Sequence, residues 1–346
     1  MVGLCEAPQC GTTNQKQPPL VARAYRERHA MKKITGYIGQ SKPKGIVNGL
    51  IGGIKRWQEI GEPIKFLRPL RLTGPAGMGK TQFAEVAIAE AIGWQLVRVP
   101  AAAGIRDLEK ALAKLGECDD VRFSAVPAVV FCDEAHSYCR GALNLIKTMT
   151  EGKPGIVERQ GSRFVRDLSM HLWVFASNEP LDRAIESRSD EIRMMPYNRA
   201  EKAAIIEANC PAEIDADAMQ YLVDRVKHTA RDCKAIACNV AMLTTENVTL
   251  DMARDYCRTS EIWPEGYTGN EVKSLAHLAK QAKPSNKSML SVVLENQGSG
   301  ADRKTTETMD YFALAGYVHK PTSASFAITE AGRKYLKAIA DKQKAK

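Results

Sequence analysis

The stretch GPAGMGKT at residues 74–81 decides the fold of this 346-residue chain. It fits the pattern G-x-x-x-x-G-K-[ST], in which the glycines let backbone N–H groups turn inward around a phosphate. The stretch before it, KFLRPLRLT at 65–73, reads as a short strand, and the residues after it have helical spacing. A strand, a glycine-rich turn and a helix in this order predict a phosphate-binding loop in an α/β domain.

The roles of the loop residues follow from the chemistry of nucleotide phosphates. We expect Lys80 to reach the β and γ oxygens of ATP and the Thr81 hydroxyl to hold Mg²⁺. The partial positive charge of the helix N-terminus acts on the same anion. The residues expected to bind the nucleotide in this segment are Gly74, Pro75, Ala76, Gly77, Met78, Gly79, Lys80, Thr81 and Gln82.

An apolar strand that ends in two acids follows further along the chain. The run VPAVVF at 126–131 is continuously apolar, as in a parallel strand covered on both faces. Asp133 is placed to bind Mg²⁺ through water, and Glu134 to polarise the attacking water. The letters DEAH at 133–136 also occur in a helicase superfamily with two tandem RecA-like domains, but this chain shows a single sheet domain.

Two further polar positions are candidates for the same site. Asn178 follows the apolar strand LWVFA at 172–176, where its side chain could bond the γ-phosphate or the water. The alternative interpretation is an Asn that ends a strand in a turn. Arg188, in ESRSD at 186–190, is a candidate arginine finger for a neighbouring subunit's nucleotide, although most exposed arginines are simply solvated.

Composition and charge narrow the class of protein. No stretch reaches the roughly 18 consecutive apolar residues of a transmembrane helix, and the start of the chain lacks a signal-peptide pattern. We therefore expect a soluble, cytoplasmic protein. The 49 basic and 40 acidic residues give a formal net charge of +9. This surplus fits a polyanionic partner, of which nucleic acid is the usual one.

Changes of pattern along the chain predict five segments. An arm at 1–34 has no core-forming period, and an α/β nucleotide-binding domain with a mostly parallel sheet covers 35–197. An all-helical domain without strand candidates covers 198–265. A polar linker at 266–286 leads to a unit at 287–346, whose helix, turn, helix and two short strands outline a winged helix-turn-helix.

Basic residues in two places are candidate contacts for duplex DNA. In the last unit, Arg303 and Lys304 precede the expected recognition helix, and Lys320 lies on the expected wing. Two alternating runs around a Gln-Gly pair also predict a β-hairpin over 155–167. The arginines of that hairpin are equally compatible with a phosphate backbone and with solvent.

The order of these parts resembles the AAA+ ATPases, and within them the RuvB-type Holliday-junction branch-migration motors. The resemblance covers roughly residues 35–340. It implies that Tyr37 and Ile38 line an adenine pocket and that Arg231 touches the γ-phosphate. The motifs that carry it, from the adenine-pocket element through Walker A, Walker B and sensor 1 to sensor 2, lie at residues 37–40, 73–81, 133–136, 177–178 and 229–231.

Departures from the family's pattern bear on the site. The finger segment usually reads Arg-x-Arg-Phe, whereas this chain has Ser187 and Ser189 around Arg188. Arg188 is therefore the first candidate for the finger and Arg183 the second. The phosphate loop reads Pro-Ala-Gly-Met-Gly instead of the family's Pro-Pro-Gly-Leu-Gly. These departures favour a divergent relative of viral or mobile-element origin.

The resemblance implies a hexameric, ring-forming ATPase that acts as a helicase or translocase on double-stranded or branched DNA, in recombination and repair. An ATP-switched loader or adaptor for another protein on DNA, such as a helicase loader or a transposition regulator, is the first alternative. A DNA-structure-specific partner protein fits either function. A protein-remodelling chaperone is the second alternative, but the region after Val99 offers no aromatic pore loop.

Overall fold

The computed structural model describes residues 36–60, 67–113, 127–151, 155–159, 162–166, 171–244, 246–298, 300–322 and 324–344. The arm expected at 1–34 lies outside the described residues. Within these ranges, no helix has the length and apolar character needed to cross a membrane.

The first unit is built on a five-stranded sheet. Strands β2, β3, β6, β1 and β7 lie side by side in that order, and every pairing is parallel. Strands β4 and β5 form the predicted hairpin apart from the sheet. The elements are α1 Ser41–Ile60, β1 Leu70–Thr73, α2 Lys80–Gln82 with a π-helical continuation Phe83–Glu90, β2 Gln95–Val99, α3 Ile105–Ala113, β3 Ala128–Cys132, a 3₁₀ turn Ala135–Ser137, α4 Arg140–Thr150, β4 Gly155–Arg159, β5 Ser162–Arg166, β6 Leu172–Ser177, α5 Arg183–Arg188 and β7 Asp190–Arg193.

Two of the three inner strands, β3 and β6, are buried along their whole length. Because successive side chains of a strand point to opposite faces, Val129 and Phe131 enter one core while Val130 and Cys132 enter the other. The edge strands β2 and β7 keep exposed residues. Parallel strands end at a common edge, so the segments that leave β1, β3 and β6 start close together.

A small, mostly helical domain follows the sheet. Its core is continuous with the core on one face of the sheet. The paired strands β8, Glu213–Ile214, and β9, Asn247–Val248, correct the expectation of a domain without strands, since two-residue strands leave no alternating pattern. Its elements are α6 Arg199–Asn209, β8 Glu213–Ile214, α7 Ala216–Val223, α8 Ala230–Ala241, β9 Asn247–Val248, α9 Leu250–Thr259 and a 3₁₀ turn Pro264–Gly266.

The C-terminal unit has a separate core and begins earlier than expected. The linker expected at 266–286 is wrong, because helix α10 occupies Gly269–Lys280. A capping box between Thr268 and Glu271 starts this helix, and its Leu275 and Leu278 enter the core of the C-terminal unit. The remaining elements are β10 Ser285–Asn286, α11 Lys287–Val293, α12 Ala301–Leu314, β11 Val318–Thr322, β12 Ser325–Ile328 and α13 Glu330–Lys344.

Helices α10, α11 and α12 and the three strands form a winged helix-turn-helix. The strands lie in the order β10, β12, β11 and pair antiparallel. The helix-turn-helix consists of α11 and α12, and β11 with β12 makes the wing. Arg303 and Lys304 thus lie inside α12, the helix that such a motif presents to a groove of DNA, rather than ahead of it.

Candidate functional site

A cavity of about 590 Å³ lies where the sheet, the helical domain and the C-terminal unit meet. Gly74 and Pro75 are not part of its lining, although both belong to the loop beside it. The predicted residues that the cavity brings together are Tyr37, Ile38, Ala76, Gly77, Met78, Gly79, Lys80, Thr81, Gln82, Asp133, Glu134, Asn178 and Arg231. Residues that the sequence interpretation did not assign to it include Tyr197, Ile205, Ala208, Asn209, Lys234, Arg303 and Glu307.

The loop at 74–79 depends on glycine at two crowded positions. Gly77 and Gly79 have φ angles of 79° and 81°, in the left-handed region that glycine adopts readily. A Cβ atom on Gly79 would lie 2.6 Å from the Tyr37 hydroxyl. On Gly77 it would lie 3.0 Å from the Cβ of Arg231. Neighbouring groups therefore approach the loop more closely than a side chain would allow.

Two buried tyrosines hold the carbonyl side of the loop. The Tyr37 hydroxyl lies 3.2 Å from the Gly79 carbonyl, and the Tyr197 hydroxyl 3.2 Å from the Met78 carbonyl. The two hydroxyls are 2.9 Å apart, and the Tyr37 hydroxyl also lies 3.5 Å from the Met78 carbonyl, so two protons are shared among four contacts. Burial raises the pKa of both tyrosines, and both remain protonated donors at neutral pH. They satisfy carbonyls that would be costly to bury without partners.

Lys80 is folded back over the loop. Its Nζ donates to the carbonyls of Gly74 at 2.7 Å and Pro75 at 2.9 Å, and also to Oδ1 of Asn178. Burial lowers the pKa of Lys80 to about 8, although the nearby Asp133 carboxylate acts in the opposite direction. An anion at this place would favour the charged ammonium. The position suits a phosphate group.

The two carboxylates after β3 have different neighbours. Oδ2 of Asp133 lies 3.4 Å from the Thr81 hydroxyl, and Oδ1 accepts the N–H of Glu134 at 3.0 Å. Glu134 has a φ of 44°, a left-handed conformation that is strained for a residue other than glycine. Its Oε1 lies 3.4 Å from Nη2 of Arg303. Asp133 therefore faces the loop, while Glu134 faces the C-terminal unit.

The oxygens of Thr81 and Asp133 fit Mg²⁺ that arrives with a nucleotide. Among the residues that the structure describes, no cluster of three or more His, Cys, Asp or Glu could hold a metal ion. Mg²⁺ at nucleotide sites usually joins one or two protein oxygens to phosphates and water. A hydroxyl and a carboxylate 3.4 Å apart at the edge of the loop are compatible with that arrangement.

Another part of the cavity is lined by residues 36–38 and by helix α6, through Ile205, Ala208 and Asn209. Gln40 fixes the first segment, because its side-chain amide pairs with the backbone of Met195 at 2.6 and 2.8 Å. The positions in α6 could not be found from the sequence, since apolar helix residues that line a cavity have the same spacing as those that fill a core.

Arg188 lies outside the cavity of its own chain. Its Nη2 pairs with Glu151 at 2.8 Å, and Nη1 donates to the carbonyl of Ala184 at 2.9 Å. The second finger candidate, Arg183, is exposed at the start of α5. Neither arginine lines the cavity, so a role at a nucleotide requires a second subunit.

The three residues expected at DNA have different surroundings, and the role of each at DNA stays a prediction. Arg303 lines the cavity, and its guanidinium contacts Glu134 and Glu307. Lys320 is paired with Asp310. Lys304 is exposed, and its role at DNA stays a prediction. The sequence predicts Arg303 just ahead of the recognition helix and does not reveal that helix α12 meets the cavity.

Comparisons with known proteins agree with this geometry. Residues 70–197 match the family model described as "ATPase family associated with various cellular activities (AAA)". The structure of Thermotoga maritima RuvB, described as a Holliday junction branch migration motor, aligns with a TM-score of 0.66 at 21% identity, over 87% of this chain and 95% of that one. A single-residue variant of the same RuvB gives 0.68 at 21%, over 88% and 98%. No curated protein sequence matches the chain.

These matches confirm the fold class predicted from the sequence. The chain carries an AAA+ phosphate-binding α/β domain with a parallel sheet, followed by a helical lid and a C-terminal winged helix in a RuvB-like arrangement. At 21% identity the solved structures establish the fold, whereas the reaction depends on the residues that line the cavity.

Replacing Gly79 with Ala should weaken nucleotide binding, whereas the same change at Gly298, outside the loop, should leave binding unchanged. The φ angles are 81° and 83°, so both substitutions carry a backbone cost of about 1–2 kcal/mol. Only at Gly79 does the new methyl group meet another atom, since nothing lies within 4 Å at Gly298. Thermal unfolding should show a loss in both variants. Binding of a fluorescent adenine nucleotide should weaken only in Gly79→Ala, and equal binding losses would contradict the steric argument.

Proposed function

We propose that this protein, an AAA-domain chain with a RuvB-like fold, is an ATPase that assembles into a ring and moves on double-stranded or branched DNA. One observation carries the proposal. The cavity brings Lys80, Glu134, Asn178 and Arg231 together around a phosphate-binding loop. Cations for phosphate oxygens, a carboxylate for water and an amide to orient it are what phosphoryl transfer to water requires.

Binding of the phosphates would exchange internal contacts for contacts with the nucleotide. The Lys80 ammonium would leave the carbonyls of Gly74 and Pro75 for phosphate oxygens, which form stronger, charge-assisted hydrogen bonds. Arg231 would approach from the lid, where its own N–H is fixed on the Gly77 carbonyl at 3.1 Å. The loop and the lid would thereby hold the same anion from two sides.

Hydrolysis needs a water molecule that is oriented and partly deprotonated as it attacks the γ-phosphorus. Glu134 would accept the proton, and the amide of Asn178 would orient the water. The bond from the γ-phosphorus to the bridging oxygen then breaks, giving ADP and phosphate. Mg²⁺ held by Thr81 and Asp133 would neutralise charge on the phosphates.

A ring would supply the remaining positive charge from the neighbouring subunit. The Arg188–Glu151 pair leaves the Arg188 side chain 34% exposed, and ion pairs open to solvent contribute little free energy. The guanidinium can therefore leave Glu151 for a phosphate at a subunit interface. A hexamer is the ring that we propose by analogy with the family.

The charge distribution supports DNA as the polyanion. The stretch 266–346, which includes the winged unit, has thirteen basic and seven acidic residues, a net charge of +6 within the total of +9. A basic unit with a helix-turn-helix fold suits a phosphate backbone. Lys304 remains available on its surface, whereas Arg303 and Lys320 have partners within the chain.

A second function, an ATP-switched loader or adaptor on DNA, is favoured by a different observation. The Glu134 carboxylate, which would act on water, already contacts Arg303 of the same chain. A switch needs nucleotide binding with slow hydrolysis, and a restrained Glu134 would slow hydrolysis. Directional movement along DNA would distinguish the motor from the switch.

The variants Lys80→Ala and Glu134→Gln should separate binding from hydrolysis. Lys80→Ala removes the cation from the phosphate site and should abolish nucleotide binding. Glu134→Gln keeps the volume of the side chain but cannot accept a proton, so it should bind ATP and lower turnover by about 100-fold or more. Calorimetric binding and phosphate release measure the two effects. Wild-type turnover in Glu134→Gln would remove Glu134 from the mechanism.

The ATPase rate should depend on the form of nucleic acid. We expect duplex or four-way-junction DNA to stimulate hydrolysis several-fold over no DNA or single strands, and the stimulation to fall steeply with salt because bound phosphates release counterions. Strand displacement on the stimulating substrate tests movement, with Glu134→Gln as the inactive control. Equal rates with all four conditions would contradict a DNA motor.

Arg188→Ala should lose hydrolysis and keep its own nucleotide affinity, because the finger acts on the neighbour. Mixing Arg188→Ala with Lys80→Ala subunits should restore part of the activity, since some interfaces pair an intact cavity with an intact finger. An arginine finger is worth about 1,000-fold or more in turnover. Assembly is verified first by sedimentation with a non-hydrolysable nucleotide. Arg183→Ala is the matched control. If activity returns when Lys80→Ala is mixed with Arg183→Ala and not with Arg188→Ala, Arg183 is the finger.

A further inference from the structure

Helix α12 of the winged unit presents one face to the nucleotide cavity. Arg303, Glu307 and Tyr311 are spaced four residues apart and therefore lie on one side of the helix. Arg303 and Glu307 line the cavity, and Tyr311 contacts the phosphate-binding loop. Other residues of the helix, such as Met309 and Phe312, are buried in the core of the C-terminal unit. The cavity side of α12 is thus distinct from the side that holds its own unit together.

Tyr311 anchors this face on the loop. Its hydroxyl donates to the carbonyl of Ala76 at 2.8 Å. Burial raises the pKa of Tyr311 to about 12, so the donor stays protonated at neutral pH. The ammonium of Lys227, from the helical domain, lies 5.4 Å from the centre of the Tyr311 ring and pairs with Glu271 of α10 at 2.8 Å. Contacts from three units therefore fix the end of α12 beside the loop.

Arg303 lies two turns earlier on the same face and has weak partners. Its Nη2 is 3.4 Å from Glu134, its Nε is 3.3 Å from Glu307, and its side chain is 57% exposed. A guanidinium has five N–H donors, and these two long contacts leave most of them for another acceptor. A phosphate is a stronger partner, because it accepts two parallel charge-assisted hydrogen bonds from arginine.

We propose that Arg303 is a nucleotide-binding residue, which leaves Glu134 for the terminal phosphate when a nucleoside triphosphate enters the cavity. The inference rests on the proposed ATPase function. Movement of the guanidinium frees the Glu134 carboxylate to act on water. A diphosphate lacks the terminal group, so with ADP the guanidinium stays on Glu134. Through the position of Arg303, the C-terminal unit then distinguishes ATP from ADP bound to the same chain.

A purely structural role for Arg303 makes a different prediction. If the contact with Glu134 only holds the C-terminal unit in place, its loss affects ATP and ADP alike. If the guanidinium only restrains Glu134, its removal leaves triphosphate affinity unchanged or increases it. The ratio of the two affinities therefore separates a phosphate contact from both of these roles.

The test compares dissociation constants of the full chain for a non-hydrolysable ATP analogue and for ADP, both with Mg²⁺. Arg303→Ala should weaken the analogue by about tenfold or more, the usual effect of losing a hydrogen bond to a charged group, and change ADP by less than about twofold. Arg303→Lys should retain part of the selectivity. Lys337→Ala, which removes a positive charge from an exposed position on α13, is the control and should match the wild type for both nucleotides.

A second measurement repeats Arg303→Ala in the Glu134→Gln background. A direct phosphate contact predicts that the selective loss persists there, because it does not depend on the carboxylate. Equal losses for both nucleotides, unchanged or tighter analogue binding, or disappearance of the loss in the Glu134→Gln background would each overturn the inference. Absence of nucleotide binding by the wild-type chain would overturn the ATPase proposal with it, whereas these other outcomes count against Arg303 alone.

Discussion

A phosphate-binding loop turns its N–H groups toward the ligand, so its carbonyls must find partners elsewhere. In this protein that requirement connects the three units that the structure describes. Each carbonyl from residue 74 to residue 79 accepts a hydrogen bond, and the donors come from every unit. They are Lys80 for Gly74 and Pro75, Tyr311 for Ala76, the N–H of Arg231 for Gly77, Tyr197 for Met78 and Tyr37 for Gly79. The lid and the winged unit are thus positioned by one six-residue segment.

The features that could be predicted from the sequence are those that a local pattern encodes. The loop, the acids after β3 and the Asn after β6 are each a strand followed by a few polar residues, and parallel strands end together. The sheet therefore follows from VPAVVF and LWVFA, and the strands Ala128–Cys132 and Leu172–Ser177 are buried on both faces. The expected roles of Lys80, Glu134 and Asn178 stay predictions, but the structure brings these side chains into one cavity.

The features that could not be predicted depend on how the units meet. The sequence predicts a linker where helix α10 lies, because Pro264, Gly266 and a polar run hide the spacing of Leu275 and Leu278. The helix-turn-helix pattern is visible in the sequence and predicts a DNA contact for Arg303, while the docking of α12 on the loop is not visible there. A contact between domains leaves no periodic signal, and the donor to Ala76 could be identified only from the fold.

The core that runs from the sheet into the lid has a thermodynamic consequence. Ile88 on the sheet side and Val240 in the lid belong to one apolar cluster, while Phe312 belongs to a separate one. Because cooperativity follows shared burial, we expect the lid to unfold together with the sheet and the winged unit to lose its structure independently. Heat would then release the C-terminal unit while the cavity keeps the walls that the sheet and the lid supply. Partial unfolding would therefore convert a cavity lined by the sheet domain, the lid and the winged unit into one lined by the sheet domain and the lid alone.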